Sequence, residues 1–150
     1  MDEEDVQMEP PGLHSDTAKR PDGRTLVPWK SGRYLAWDAT ISHTLAASYR
    51  TQSARGAGSL ANSKETLKIR KYEGLPDSFI FQPISLETLG TLGKRTEEFL
   101  RELGARVVAE TAQPRAGEYL LQRLSIDVQR GNAVAVTLTI PHGAGLPEMP

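Results

Sequence analysis

The stretch RYLAWDATI, residues 33–41, is the clearest strand signal in the chain. Side chains alternate across a strand, so Leu35, Trp37, Ala39 and Ile41 share one face and Tyr34, Ala36, Asp38 and Thr40 share the other. The first face is expected to be core. Asp38 then points away from it, in the middle of an apolar strand and beside small neighbours. A carboxylate there is either exposed on an uncovered sheet face or collected into a site.

Upstream, RTLVPW (24–29) predicts a strand that Pro28 confines to an edge or an end. KSG (30–32) is a hairpin-type turn. A hairpin of these two strands would bring Asp22, in RPDG, towards Asp38. On its own, Asp22 reads as a turn aspartate beside Gly23 rather than as a ligand. Two nearby carboxylates repel unless a cation joins them. The chain has no cysteine, and His14, His43 and His142 are scattered. Hard oxygen ligands of this kind suit Mg²⁺ or Mn²⁺ rather than zinc.

Downstream, 42–63 is small and polar and predicts a loop. A helix is expected over 59–75, ending near Gly74, with Lys64, Lys68 and Lys71 on one face. Lys68 and Tyr72 are four apart, and Glu65 is the one acid in that stripe. A basic stripe is either a solvated face or the cationic side of a site. Phe79 to Leu86 predicts a buried strand interrupted by Pro83, with Glu87 at its end as a strand cap rather than a residue of the site edge. Residues 93–104 predict an amphipathic helix carrying Phe99, Leu100 and Leu103 and stopped by Gly104. A further helix over 116–138 carries Leu120, Leu121, Leu124 and Val128 at helical spacing. Arg123 and Arg130, seven apart on it, could contact DNA phosphates or form surface ion pairs. Trp29 and Trp37 read as core, and ARGAGS (54–59) lacks the pattern of a phosphate loop.

The order strand, strand, helix, strand, helix, helix predicts an α/β fold, a small mixed β-sheet flanked by helices. At 150 residues the chain fits one domain, and 38 % hydrophobic residues support only a modest core. No apolar run approaches the roughly 20 residues of a membrane helix. The start, MDEEDVQMEP, is acidic and unlike a signal or transit peptide. Setting its five acids aside leaves 14 of the 19 acidic residues against 18 Lys and Arg, a weakly basic body. Residues 1–20 are expected to be a flexible acidic tail, 21–138 the domain and 139–150 a second tail.

Five segments occur in an order that resembles a known family: EPPGLHSDTAKRPDG, LAWDATI, the KxxKY of Lys68–Tyr72, PISLETLG and QRLSIDVQRGNA. They are similar to the endonuclease-like module beside the reverse transcriptase of non-LTR retroelements, found among transposon open reading frames of ticks and other invertebrates. The resemblance covers about residues 9–136. It implies a restriction-endonuclease-like core with a PD-(D/E)xK-type site, the N-terminal part of that fold missing from this chain. Asp22 matches the first acid and Asp38 the second, both as ligands of Mg²⁺ or Mn²⁺. The family's usual lysine position is Thr40 here, so the resemblance assigns that role to Lys68 or Lys71. The implied partners are DNA and, in an intact element, a reverse transcriptase domain and element RNA. The implied place of action is intracellular, in the nucleus. A second reading is a catalytically inactive remnant that keeps the fold and weak DNA or protein binding.

Overall fold

The computed structural model of the chain describes residues 5–43 and 54–139, with side chains as far as residue 131. Residues 44–53 of the loop expected over 42–63, and residues 140–150 of the expected second tail, lie outside the described residues. The elements in chain order are β1 (Val6–Met8), β2 (Gly23–Thr25), β3 (Tyr34–Ser42), α1 (Ser59–Lys71), β4 (Phe79–Glu87), α2 (Lys94–Thr111) and α3 (Ala116–Thr139). The four strands form one mixed sheet in the order β1-β2-β3-β4. The first two pairings are antiparallel. β3 and β4 run parallel from Tyr34↔Phe79 to Ser42↔Glu87, joined by the crossover that contains α1. The result is a small mixed α/β fold. Among the described residues, no helix is long and apolar enough to cross a membrane.

The turn between β2 and β3 follows from its residues. Lys30 and Arg33 exchange backbone hydrogen bonds across Ser31 and Gly32. Both central residues have positive φ, 51° and 70°, the pattern of the type I′ hairpin turn whose twist matches that of its strands. β2 is shorter than the strand expected over 24–29. Proline has no N–H to donate, and Leu26, Val27 and Pro28 lead out of the sheet before Trp29 re-enters the core.

The expected acidic tail is corrected in part. Val6–Met8 forms the outer strand and pairs with Thr25–Gly23. Pro10 and Pro21 are fully buried, so the segment between β1 and β2 packs onto the body. A three-residue strand carries too little alternation to stand out from its acidic surroundings, and its stability comes from the open edge of β2 that it pairs.

The two faces of β3 are also corrected. Leu35 is buried on the expected face, but Ala36 and Asp38 on the opposite face are buried as well, whereas Ile41 is 59 % exposed. Helices cover both faces around the centre of the strand. On the Leu35 face, Trp29, Leu35, Phe99 and Leu100 form the core, with Trp37, Ile80, Ile84, Leu92, Leu103 and Leu124 packed against it. That layer consists of α2 and α3. On the Asp38 face lies α1. A strand with a parallel neighbour and a helix on each side is buried on both faces, so simple inside–outside alternation fails there.

α2 does not stop at Gly104 but continues to Thr111. A Cβ at Gly104 would stand 3.1 Å from the Gly117 Cα, so the glycine serves the close approach of α2 and α3. The start of α2 is held by α1. Gly93 precedes the helix with no capping side chain. Asn62 Oδ1 accepts from the Lys94 N–H at 2.8 Å, and the Glu65 carboxylate accepts from the N–H groups of Arg95 and Thr96 at 3.1 and 2.9 Å. The Thr96 hydroxyl donates to the same carboxylate at 2.7 Å. Three otherwise orphaned helix donors are satisfied, and a negative charge meets the positive helix end. A side chain at Gly93 would collide with Glu65 Oε1. Glu87, at the end of β4, similarly accepts from the Ala61 N–H in the first turn of α1 at 3.3 Å.

Candidate functional site

Asp38 stands in the middle of β3 with its side chain 5 % exposed. Alternation directs it towards α1, and Lys68, three turns into that helix, places its ammonium on Asp38 Oδ2. Lys68 is only partly buried, so the pair sits at the rim of the protein rather than inside it. Lys71 does not join it. Its ammonium lies 5.2 Å from the centre of the Tyr72 ring, on an exposed side chain. A step of three residues turns a helical side chain by about 300°, so two lysines of one broad stripe need not share a target.

Asp22 reaches the same place from the neighbouring strand. Gly23 pairs with Trp37, which sets Asp22 opposite the centre of β3. The Ala39 N–H donates to Asp22 Oδ2 at 2.7 Å. The glycine after Asp22 has a second purpose beyond the turn: the Trp37 indole lies over it, and a Cβ there would be 2.2 Å from the ring. The Pro-Asp-Gly sequence is therefore a packing requirement as well as a turn.

The electrostatics follow from these contacts. Burial pushes the Asp38 carboxyl above its ordinary 3.8, the Lys68 ammonium opposes the shift, and the Asp22 carboxylate adds to it both as a charge and as a hydrogen-bonding neighbour. Tyr72 is 2 % exposed, with its ring tilted against Phe81 at 4.7 Å between centroids. Burial, followed by the charges of Asp38 and Asp22, pushes its phenol up to about 12. The phenol is thus a neutral donor at any ordinary pH, and it donates to the Arg20 carbonyl at 3.0 Å.

The structure brings Asp22, Asp38 and Lys68 together and leaves the other sequence candidates apart. Thr40, two residues beyond Asp38 on the same face, is half-buried. Arg123 and Arg130 lie on α3, in the helical layer on the opposite face of the sheet from Asp38. Arg123 pairs with Asp127 at 3.2 Å, the surface ion pair that was the alternative reading, and Arg130 is exposed. His14 accepts from the Asp16 N–H and packs over Gly74, His43 meets Thr88, and His142 lies outside the described residues. Among the described residues no three His, Cys, Asp or Glu side chains cluster as a metal site would. The resemblance marks Tyr72 as the anchor of the helix that carries Lys68, but its bond to the Arg20 carbonyl joins residues too far apart in the chain to be read from spacing.

No model of a known protein family matches the chain, and no curated protein matches it.

Proposed function

We propose that the chain is a metal-dependent DNA endonuclease module of a transposable element, with a restriction-endonuclease-like core. The observation that carries this reading is the meeting of Asp22, Asp38 and Lys68 beside the centre of β3, from three separate parts of the chain. Two adjacent hard carboxylates, one of them desolvated, suit a cation that takes one or two protein carboxylates and keeps its waters. Asp22 and Asp38 would hold Mg²⁺ or Mn²⁺. When bound, the cation would lower the pKa of a water and offset charge on the phosphate.

The chain's own residues do the rest. The Ala39 N–H fixes the Asp22 carboxylate, and Lys68, paired with Asp38, supplies a positive charge for a phosphate oxygen of the substrate. Hydrolysis adds water's hydroxyl to phosphorus, breaks the P–O3′ bond and releases O3′ with a proton. In the intact element that 3′-hydroxyl would prime reverse transcription, with the reverse transcriptase domain and element RNA as partners and nuclear DNA as the target.

The test is nicking of supercoiled plasmid in Mg²⁺, wild type beside Asp38→Ala. Nicking that disappears with the substitution and with a chelator supports the proposal. A folded wild-type protein that does not nick DNA sinks it in favour of a non-catalytic remnant.

A further inference from the structure

We propose that Tyr72 is the positioning residue of this site: its phenol ties the Arg20–Asp22 segment to the end of α1 and so fixes where the Asp22 carboxylate stands relative to Asp38 and Lys68. The consequence for cation binding rests on the endonuclease reading; the tie itself does not.

Tyr72 joins the helix that carries Lys68, the segment that carries Asp22 and the strand beside the one that carries Asp38. Its backbone N–H donates to the Lys68 carbonyl at 3.1 Å, so it closes the helical turn that begins with the lysine. Its ring rests on Phe81 of β4, which pairs with Ala36, two residues before Asp38 and on the same sheet face. Its hydroxyl donates to the carbonyl of Arg20 at 3.0 Å.

Between Arg20 and Asp22 stands Pro21, fully buried and with φ locked by its ring. A hold on the Arg20 carbonyl is therefore transmitted to Asp22 through a residue with little freedom. Asp22 passes it on to the Ala39 N–H, next to Asp38. The contacts close a ring through Tyr72, Arg20, Pro21, Asp22, Ala39, Asp38 and Lys68. Without the phenol oxygen, the segment before β2 loses its bond to α1, and the Asp22 carboxylate is held by the Ala39 N–H alone within that ring.

The test uses the full chain and two variants, Tyr72→Phe, which keeps the ring on Phe81, and Asp22→Asn. The first readout is the Ala39 amide by NMR, without metal. Tyr72→Phe should speed its hydrogen exchange about fivefold and move its resonance towards its position in Asp22→Asn. The Leu35 amide, bonded to the Thr25 hydroxyl at 2.9 Å, should not follow. A merely structural tyrosine would instead lower Tm and loosen Leu35 and Ala39 alike, and that result overturns the proposal, as does an unmoved Ala39.

The second readout is titration with Mn²⁺. Tyr72→Phe should weaken binding about fivefold, and the factor should vanish in the Asp22→Asn background, because the tyrosine acts through that carboxylate. Binding that depends on Asp22 but not on Tyr72 overturns the positioning role. Should wild type and Asp22→Asn bind Mn²⁺ equally weakly, the endonuclease reading fails, while Ala39 still decides the tie.

Discussion

The two faces of β3 are held to their helices by different forces. On one face, α2 and α3 bury Trp29, Leu35, Phe99 and Leu100 as a continuous apolar cluster. On the other, α1 buries little apolar surface beyond Leu60 and Ala61 and leaves Leu67 exposed. Its contacts are polar: Lys68 on Asp38, Asn62 and Glu65 on the start of α2, Glu87 on its own first turn, and Tyr72 on Arg20. Apolar contact is non-directional and proportional to area, whereas hydrogen bonds and ion pairs depend on direction and charge. The apolar layer therefore supplies stability, and the polar layer fixes the positions of particular atoms. A site that must hold two carboxylates and an ammonium in register belongs on the second.

The strongest way to break this comparison is Phe99→Ala. Emptying a buried phenylalanine site is expected to cost about 3–5 kcal/mol, read as a lower midpoint in urea. If α1 were the main source of stability, the loss would be much smaller. Lys68→Met comes next. It leaves the buried Asp38 carboxylate beside Asp22 without its cation, at a cost of about 1–3 kcal/mol near neutral pH, below the range for a fully buried pair because Lys68 is partly exposed. A neutral effect would mean that the pair adds nothing to the docking of α1.

Glu65→Gln removes the charge at the start of α2 and one of the two acceptor oxygens while keeping the shape. About 1 kcal/mol is expected, with faster hydrogen exchange confined to the first turn of α2. Equal exchange in both proteins would show that the cap does not need a charge.

The smallest effect concerns pH. A carboxyl whose folded pKa is raised binds its proton more tightly in the folded state, so its contribution is greatest below the unfolded value near 3.8 and is lost as pH rises through the higher folded value. Asp38→Asn lacks that loss. The stability of the variant relative to wild type should therefore increase from acid towards neutral pH, as measured by thermal unfolding across that window. A difference that stays flat, or runs the other way, would mean that Lys68 outweighs burial.

Much of this was visible in local sequence. β3, β4 and the three helices follow from alternation, helical spacing and the placing of Gly and Pro, which act over a few residues. The approach of Asp22 to Asp38 was legible because a turn signal between two strand signals implies a hairpin, and the two-residue turn across Ser31 and Gly32 sets its register. The choice between Lys68 and Lys71 was not. Both occupy one broad stripe, and only the docking of α1 on the sheet turns one inwards and leaves the other in solvent. The strand at Val6–Met8 was hidden for the same kind of reason, since its stability comes from the edge it pairs with rather than from its own pattern. Gly104 shows the reverse error: a residue that signals a helix end locally is used for contact between helices.

The sequence by itself determined β3, β4, the three helices, the hairpin turn and the pair of carboxylates, because each depends on neighbours in the chain. Only the tertiary structure decided that Asp38 is buried, that Lys68 is its partner, that Glu65 belongs to the start of α2 and that Tyr72 reaches back to Arg20. Each of these joins residues distant in the chain. Burial and charge pairing are properties of what stands opposite a side chain, and that is settled only when the helices dock.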